Sequence, residues 1–351
     1  MSNTQQPIKV GIIGTGIFAY RHLRAYQALG AEKYQLVACA NRSRDKAVKF
    51  AAEAGIPESA IYSDPLELIN DPNVELIDTL LPVQYNRGIV EAAIAANKHI
   101  IFEKPIAASL EDARKIVLAA RKAKTVVAVA ENWAYHPLVT AVGSFIEKGG
   151  IGEIVNFTYD STRPYSPNSP YYATNWRMNP EHPGGYLSDG GVHDMCHLKI
   201  ALGWFDTVSA FTTKRHTVHG ADDTLASTVR LKNGAIGVAN FTFCSAGMKS
   251  LRLEIHGTNG SIILKNDTDV ELFNEQGESV DTQYIKDLAQ EVSSGGFTDV
   301  EGELYNLYQT LRHGAKLGIS IDDCFHHLAF FIAALESARE MKAVKLPEIE
   351  E

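Results

Sequence analysis

The segment at residues 8–29 combines a short apolar run, a glycine-rich turn and an amphipathic helical pattern, and it constrains the fold more than any other stretch. β-forming residues precede the turn and apolar residues follow it at helical spacing, which predicts a strand, a tight loop and a helix. The turn reads G-x-G-x-x-A, with Gly14, Gly16 and Ala19 at the motif positions. Gly14 permits a sharp turn, Gly16 allows close approach of a pyrophosphate, and Ala19 allows close helix–strand packing.

A helix that begins at such a turn offers unpaired N–H groups and the positive end of its dipole, which together favour an anion. We therefore expect the loop to hold the phosphates of a dinucleotide cofactor. The loop residues predicted to bind it are Gly14, Thr15, Gly16, Ile17 and Phe18. The alternative is an ordinary tight turn, because a short motif of this kind also arises without a cofactor.

Strand and helix patterns alternate through the first third of the chain. Apolar runs lie at residues 34–40, 60–62, 74–82, 99–105 and 125–133. Helices are predicted between them, one from Asp64-Pro65 and one from the capping pair Ser109 and Asp112. Strands separated by helices predict a parallel sheet with right-handed crossovers. We therefore predict an α/β Rossmann domain over residues 1–132.

From about residue 151, strand-like runs follow one another directly, with hairpin signals at Asn233-Gly234 and Asn259-Gly260. Helices are predicted at residues 185–202, 299–313 and 322–342. Residues 133–351 are therefore predicted to form an α+β substrate-binding domain with a large, mostly antiparallel, open-faced sheet. Because such a face is commonly buried against another subunit, we expect a homodimer or homotetramer formed through this sheet.

Composition excludes several classes of protein. A length of 351 residues exceeds what one core usually holds, and 45% hydrophobic content excludes a disordered chain. No run approaches the ~20 apolar residues of a membrane helix, and the first residues form no hydrophobic targeting segment, which predicts a cytoplasmic protein. The net charge of −9 argues against a nucleic-acid or membrane partner. Four dispersed cysteines without a C-x-x-C pair predict buried thiols, and no disulfide or metal site is expected.

Glu103, Lys104 and Pro105 follow directly after a predicted strand, at the carboxyl edge of the sheet where open α/β folds bind ligands. Proline fixes the chain there, and the lysine side chain can reach into a cleft. The alternative is an ordinary surface lysine, since lysine is mostly exposed.

The segment at residues 183–197, PGGYLSDGGVHDMCH, places Asp189 and His193 four positions apart, so on a helix they share one face. Imidazole titrates near neutral pH and suits proton transfer. Each glycine inside this helix costs ~1 kcal/mol relative to alanine, and we interpret the glycines as allowing close approach of a nicotinamide or a sugar. The alternative is a loop with an ordinary Asp–His hydrogen bond. His197 continues the same face, and packing accounts for it more simply.

Asn41, Arg42, Ser43 and Arg44 follow the second predicted strand. Folds that prefer NAD usually carry an acid here, which accepts hydrogen bonds from the ribose 2′-OH. This chain has arginine instead, and arginine can bind a 2′-phosphate through two parallel hydrogen bonds. The sequence therefore favours NADP(H), with Asn41, Arg42 and Ser43 as cofactor-binding residues. The competing interpretation is that both arginines merely begin a solvated helix.

Together, GTGIFA, EKP and GG…DGGVH resemble the Gfo/Idh/MocA family of oxidoreductases, and AENW and WR…PEH make the chain look closest to NADP(H)-dependent fungal members. The resemblance covers essentially the whole chain and implies that Lys104, Asp189 and His193 line the catalytic site. It also implies cofactor contacts from Leu81, Pro82, Asn86, Glu103 and Lys104. Two positions depart from the family pattern: Asn86 replaces a cofactor-side histidine, and Cys196 replaces an aspartate three residues after His193.

The resemblance implies reversible hydride transfer between the nicotinamide and a carbon that bears a hydroxyl or carbonyl group. His193 is expected to be the general acid/base on the substrate oxygen, with Asp189 orienting it or binding a neighbouring hydroxyl, while Lys104 polarises that oxygen and binds the nicotinamide ribose.

Four more residues lie in stretches that can face the cleft: Trp133, Tyr172, Trp176 and Arg177. Aromatic faces pack against the C–H side of a sugar ring, so a polyhydroxylated substrate fits, and we include Trp133, Trp176 and Arg177 among the cofactor-binding residues. All four are alternatively core or surface residues.

Two rival functions remain open on the sequence alone. The first is a non-catalytic NADP-binding regulator, although such a protein need not retain the Lys, Asp and His set. The second is an enzyme that uses its cofactor only transiently, for elimination or glycoside cleavage. The substrate also stays open among sugars, polyols, sugar acids and simpler aldehydes.

Overall fold

The structure is a computed structural model that describes residues 6–169, 171–172, 174 and 178–349. The chain forms two compact units. The first comprises the residues up to Tyr135 together with Ser294–Phe325, and the second comprises His136–Ser293 together with the residues from His326 on. The chain therefore returns to its first unit late in the sequence, a feature that the predicted boundary at residue 132 does not contain.

The first unit is built on a six-stranded parallel sheet with the order β3-β2-β1-β4-β5-β6, which confirms the predicted Rossmann fold. Its strands are β1 Ile8–Ile13, β2 Tyr34–Ala40, β3 Ile61–Tyr62, β4 Leu76–Thr79, β5 His99–Glu103 and β6 Val127–Ala130. The strand order reverses between β1 and β4. Ligands of open α/β sheets bind at the carboxyl ends of the strands at this reversal point.

Helices connect the strands of this sheet: α1 Ala19–Leu29, α2 Arg44–Ala54, α3 Pro65–Ile69, α4 Asn86–Ala95 and α5 Leu110–Lys122. Local signals set several of their ends. Ser109 accepts a hydrogen bond from the backbone N–H of Asp112, as the sequence predicts. Asp64, just before the helix predicted from Asp64-Pro65, accepts one from the N–H of Leu66. Gly55 ends α2 in the left-handed conformation, with φ of 72°.

A nine-stranded sheet dominates the second unit, in the order β14-β13-β12-β11-β7-β10-β9-β8-β15. β7 and β10 run parallel, and the other paired strands are antiparallel, which confirms the predicted mostly antiparallel sheet. The strands are β7 Ile154–Thr162, β8 Phe205–Thr213, β9 Thr224–Leu231, β10 Ile236–Thr242, β11 Ser250–Gly257, β12 Gly260–Lys265, β13 Asp269–Asn274, β14 Ser279–Val280 and β15 Val344–Lys345.

The described helices of the later chain are α6 Pro137–Glu147, α7 Gly185–Leu202, α8 Gln283–Val292, α9 Asp299–His313 and α10 Ile321–Glu340. The structure confirms the helices predicted at 185–202 and 299–313, and α10 lies close to its predicted bounds. Helices α6 and α8 are not predicted from the sequence; both are short and lie beside strand patterns. In the described part of the chain, no helix is both long and apolar enough to cross a bilayer.

Each unit has its own core. In the first unit, α9 contributes Val300 and Leu304 to the apolar cluster that also contains Ile8 and Ile12 of β1. In the second unit, the ring of Phe331 on α10 lies 5.3 Å from that of Phe241 on β10. The four cysteines are free thiols; Cys39, Cys196 and Cys324 are buried, as predicted, whereas Cys244 is only partly buried.

Candidate active site

The glycine-rich turn between β1 and α1 is shaped by a close backbone contact at its first glycine. Gly14 has φ of +90°, and a Cβ built on it would lie 2.7 Å from the carbonyl oxygen of Leu80 and 3.2 Å from the side chain of Leu81. Apart from its chain neighbours, no heavy atom of the described residues lies within 4 Å of a Cβ built on Gly16, so these residues leave the space beside Gly16 open. The turn therefore requires glycine at 14 for its own conformation, whereas glycine at 16 leaves room for a ligand.

The N-terminus of α1 differs from the capped helices of the same unit. Phe18 at its N-cap makes no side-chain hydrogen bond to the helix, and the first turn carries no acidic residue. The first N–H groups of a helix have no partner within the helix, so this end retains backbone donors for an anion. Ile17 is exposed beside it. These features fit a dinucleotide pyrophosphate.

The end of β2 is tied to the same turn. The side-chain amide of Asn41 donates a 2.8 Å hydrogen bond to the hydroxyl of Thr15, which is buried. Arg44 is engaged elsewhere, because its guanidinium donates to the carbonyl of Ile61 at 3.0 Å and to Glu58 at 3.3 Å. Arg42 is exposed, as is Ser43. Arg44 is therefore held by Ile61 of β3 and by Glu58, whereas Arg42 makes neither of these contacts.

Asn86 holds the segment around Lys104. Its side-chain amide donates to the carbonyl of Glu103 at 2.8 Å and to that of Pro105 at 3.0 Å, and the residue is 1% exposed. Lys104 is half-buried, and its peptide bond to Pro105 is cis. Asn86 thus fixes the backbone on both sides of Lys104, a role that the sequence analysis did not predict for it.

A buried ionisable network lies directly behind this segment. Nδ1 of His22 is 2.8 Å from Oδ2 of Asp78, and its Nε2 is 3.5 Å from Oε1 of Glu103. The hydroxyl of Tyr26 donates to the same Asp78 oxygen at 2.9 Å. Burial alone would lower the pKa of His22, but the carboxylates of Asp78 and Glu103 raise it well above its usual value. These two neighbouring carboxyl groups therefore favour the protonated form of His22.

Two more glutamates, Glu131 and Glu303, are buried in the first unit. Burial raises the pKa of Glu303 well above its usual range; the positive charge of His22 opposes this shift, and the carboxylates of Glu103, Asp78 and Glu131 reinforce it. Burial also raises the pKa of Glu103. This network is not predicted from the sequence, although Asp78 is an unusual acidic residue inside an apolar strand run.

The raised pKa of Glu303 predicts a stability that falls as pH rises. An unfolded glutamate loses its proton near pH ~4.3, whereas Glu303 in the folded chain keeps it, so each pH unit above that value costs up to ~1.4 kcal/mol until the folded pKa is passed. We expect Glu303→Gln to abolish this loss and to raise Tm at about pH 8 by several degrees, with little difference near the unfolded pKa. Thermal unfolding across this pH range measures the effect.

Glu301→Gln is the matched control, because Glu301 lies on the same helix but ion-pairs with Arg21, which lowers the pKa of its carboxyl. That substitution should lower Tm at neutral pH. Equal pH dependence in Glu303→Gln and the parent protein would show that Glu303 is ionised in the folded state.

In the second unit, α7 carries Asp189 and His193 one turn apart, as predicted, and both are half-buried. The interpretation of the helix glycines needs correction at Gly191, where an added Cβ would lie 2.1 Å from the ring of Phe331. At Gly190 the nearest atom would be in the ring of Phe243, at 3.1 Å. The protein's own aromatic side chains therefore account for these two glycines.

Asp194, next to His193, anchors α7 to the sheet. Its carboxylate accepts hydrogen bonds from Arg163 and from the hydroxyl of Tyr159, both at 2.5 Å. Arg163 also donates to the carbonyl of Gly190 at 3.2 Å and lies 4.7 Å above the ring of Phe243. These contacts fix the orientation of the helix that carries Asp189 and His193, and the sequence analysis did not identify them.

The remaining predicted site residues fall into three groups. Lys104, the glycine-rich turn, Leu81, Pro82 and Trp133 belong to the first unit, and Trp133 is half-buried. Asp189, His193 and Tyr172 belong to the second, where Tyr172 stacks on Tyr165 with ring centroids 4.9 Å apart. Trp176 and Arg177 lie outside the described residues.

Comparisons with known proteins agree with both halves of this fold. The model described as "Oxidoreductase family, NAD-binding Rossmann fold" matches residues 8–131, and "Oxidoreductase family, C-terminal alpha/beta domain" matches residues 144–346. An uncharacterized protein of Saccharomyces cerevisiae is 41% identical, over 95% of this chain and 96% of its own.

Levoglucosan dehydrogenase of Pseudarthrobacter phenanthrenivorans is 26% identical over 98% of this chain and 99% of its own. A solved structure of levoglucosan dehydrogenase in complex with NADH matches with a TM-score of 0.84 and 25% identity, covering 98% of this chain and 100% of that one.

Proposed function

The chain belongs to the Gfo/Idh/MocA family of oxidoreductases, and we propose that it is an NADP(H)-dependent member that transfers a hydride to or from a hydroxyl or carbonyl carbon of a sugar, polyol or related aldehyde. Family membership supports the reaction class and the nicotinamide cofactor. The sugar-like substrate class is supported by the relative that is a levoglucosan dehydrogenase.

The observation that carries the choice of NADP(H) is the exposed Arg42 at the end of β2. No acid occupies positions 41–43, so nothing at these positions would repel a ribose 2′-phosphate. Arginine binds phosphate through two parallel hydrogen bonds, and Arg44 is already engaged with Ile61 and Glu58. The solved relative described above contains NADH, so this preference rests on the residues of this chain.

The first unit would bind the cofactor through the open side of Gly16 and the N–H groups that begin α1. When bound, the nicotinamide donates or accepts the hydride. Lys104, fixed by the contacts of Asn86 with its neighbours, would polarise the substrate oxygen. His193 would exchange a proton with that oxygen, and Asp189 would hold the imidazole or a neighbouring substrate hydroxyl.

The proposed activity is tested with purified protein by following NADPH absorbance in the presence of aldoses and simple aldehydes, and NADP⁺ reduction in the presence of sugars and polyols. We expect turnover with at least one polyhydroxylated compound. NADPH binding without turnover on any of these classes would contradict the proposal and favour the non-catalytic regulator.

We also propose that a second copy of the chain covers the outer face of the nine-stranded sheet. Phe211 is 66% exposed on this face. It pairs across the sheet with Ala226 of β9, which in turn pairs with Asn240 of β10. Light scattering should give the mass of a dimer or tetramer, and Phe211→Glu should shift it towards the monomer. A monomeric parent protein would contradict this arrangement.

A further inference from the structure

His136, His197 and Asp267 meet in the second unit, in a cluster that the proposed hydride transfer does not use. Nδ1 of His136 lies 2.8 Å from Oδ2 of Asp267, and the rings of His136 and His197 have centroids 5.0 Å apart. One ligand atom from each of the three residues lies within 4.8 Å of the other two. We propose that this cluster binds one divalent transition-metal ion of the zinc type.

The donor set fits such an ion. Two imidazoles and one carboxylate suit Zn²⁺, whereas Ca²⁺ and Mg²⁺ prefer ligand sets made of oxygen. With Zn–N and Zn–O distances of about 2.0–2.2 Å, tetrahedral ligand atoms lie about 3.3 Å apart. Nδ1 of His136 and Oδ2 of Asp267 are 2.8 Å apart, which is closer than that value, and all three ligand atoms lie within 4.8 Å of one another, so small side-chain rotations would complete the site.

The backbone holds the three ligands in place independently. The carbonyl of His136 accepts hydrogen bonds from the N–H groups of Val139 and Thr140, which fixes its position at the start of α6. His197 lies in the interior of α7. Asp267 lies in the turn between β12 and β13, where it and Asn266 both have positive φ values, 56° and 49°.

Asn266 fixes this turn to the neighbouring strand. Its N–H donates to the carbonyl of Leu251 at 2.8 Å, and its side-chain oxygen accepts from the N–H of Leu251 at 3.0 Å. Because the turn is fixed in this way, Asp267 has little freedom to move. Little conformational entropy is therefore lost when a metal binds.

The exposure of the cluster suits a site with an open coordination position. His197 is 4% exposed, while the side chains of His136 and Asp267 are 20% and 18% exposed. The ion can therefore enter from the side of His136 and Asp267 and keep a water molecule as its fourth ligand.

Without closely spaced cysteines, the sequence alone predicts no metal site. The three ligands are separated by long stretches of chain and come from three different elements, so no local motif indicates them. The competing explanation is a structural His–Asp ion pair with His197 packed beside it. That arrangement needs no metal and predicts no stoichiometric affinity for one.

Zinc titration of the full chain, freed of any affinity tag and treated with chelator, tests the proposal. Calorimetry and elemental analysis should give one Zn²⁺ per chain, and added Zn²⁺ should raise Tm. Asp267→Asn should weaken binding at least tenfold, and it preserves the turn because asparagine tolerates positive φ. His197→Gln should weaken it similarly. His256→Gln is the control, since that histidine lies on β11 and contacts Ser261 instead.

Co²⁺ bound to the parent protein supplies a readout that does not depend on how the variants fold, because tetrahedral Co²⁺ has characteristic visible absorption. Stoichiometric Zn²⁺ binding with that absorption, lost in Asp267→Asn and His197→Gln, supports the site. Absence of stoichiometric binding by the parent protein, or binding that survives both ligand substitutions, would overturn it.

Discussion

Lys104→Ala and His193→Ala are each expected to lower kcat by about 10²–10⁴, the usual contribution of a positioned acid or base. Loss of Lys104 removes the positive charge that would stabilise a developing alkoxide, and loss of His193 removes the group that exchanges the proton. NADPH binding should persist in both variants because the turn at Gly14 and Gly16 is untouched, although Lys104→Ala also removes the expected contact with the nicotinamide ribose. Steady-state kinetics on the substrate found by the screen, with fluorescence titration of NADPH, measure both quantities.

Lys122→Ala and His313→Ala are matched controls, because both residues are exposed in the last turns of helices of the first unit. They should retain the parent kcat. Normal turnover in both Lys104→Ala and His193→Ala would contradict the proposed catalytic set.

Gly14→Ala is expected to lower the stability of the fold, whereas Gly16→Ala is expected to lower the affinity for the cofactor. Alanine at 14 must adopt φ of +90° with its Cβ 2.7 Å from the Leu80 carbonyl oxygen, which should cost about 1–3 kcal/mol of stability. Alanine at 16 meets no atom of the residues that the structure describes within 4 Å, its chain neighbours aside, and should leave Tm nearly unchanged. Its methyl group would occupy space that the pyrophosphate needs, so NADPH affinity should fall at least tenfold.

Gly88→Ala is the control for this pair, since a Cβ there also meets no further described heavy atom within 4 Å, and Gly88 belongs to α4 and not to the glycine-rich turn. It should leave NADPH affinity unchanged and, as an alanine within a helix, should not reduce stability. If Gly16→Ala binds NADPH as tightly as the parent protein, the motif is only a tight turn.

Local signals in the sequence were sufficient for much of the fold. Ser109 caps its helix as predicted, because capping involves residues only a few positions apart. The helix predicted from Asp64-Pro65 begins at Pro65. The helix at Gly185–Leu202 was also predicted, despite its glycines. The packing reason for Gly191 was not, because Phe331 lies far along the chain and only the folded structure brings the two together.

The burial of charged side chains likewise could not be predicted from the sequence. Glu303 lies in a helix whose pattern was predicted, yet sequence periodicity gives no information on which element covers that helix. Its burial follows from the return of residues 294–325 to the first unit, a long-range feature. Asn86 similarly looks like a replaced cofactor ligand in the sequence, whereas its hydrogen bonds to Glu103 and Pro105 become apparent only in the structure.

The measurement that tests the central claim most directly is fluorescence titration of NADPH against NADH, on the parent protein and on Arg42→Ala. We expect a preference for NADPH of tenfold or more, about 1.4 kcal/mol, that collapses in Arg42→Ala. Arg44→Ala, whose side chain is engaged with Ile61 and Glu58, should keep the preference. Equal binding of the two cofactors, or tighter binding of NADH, by the parent protein would contradict the assignment of NADP(H).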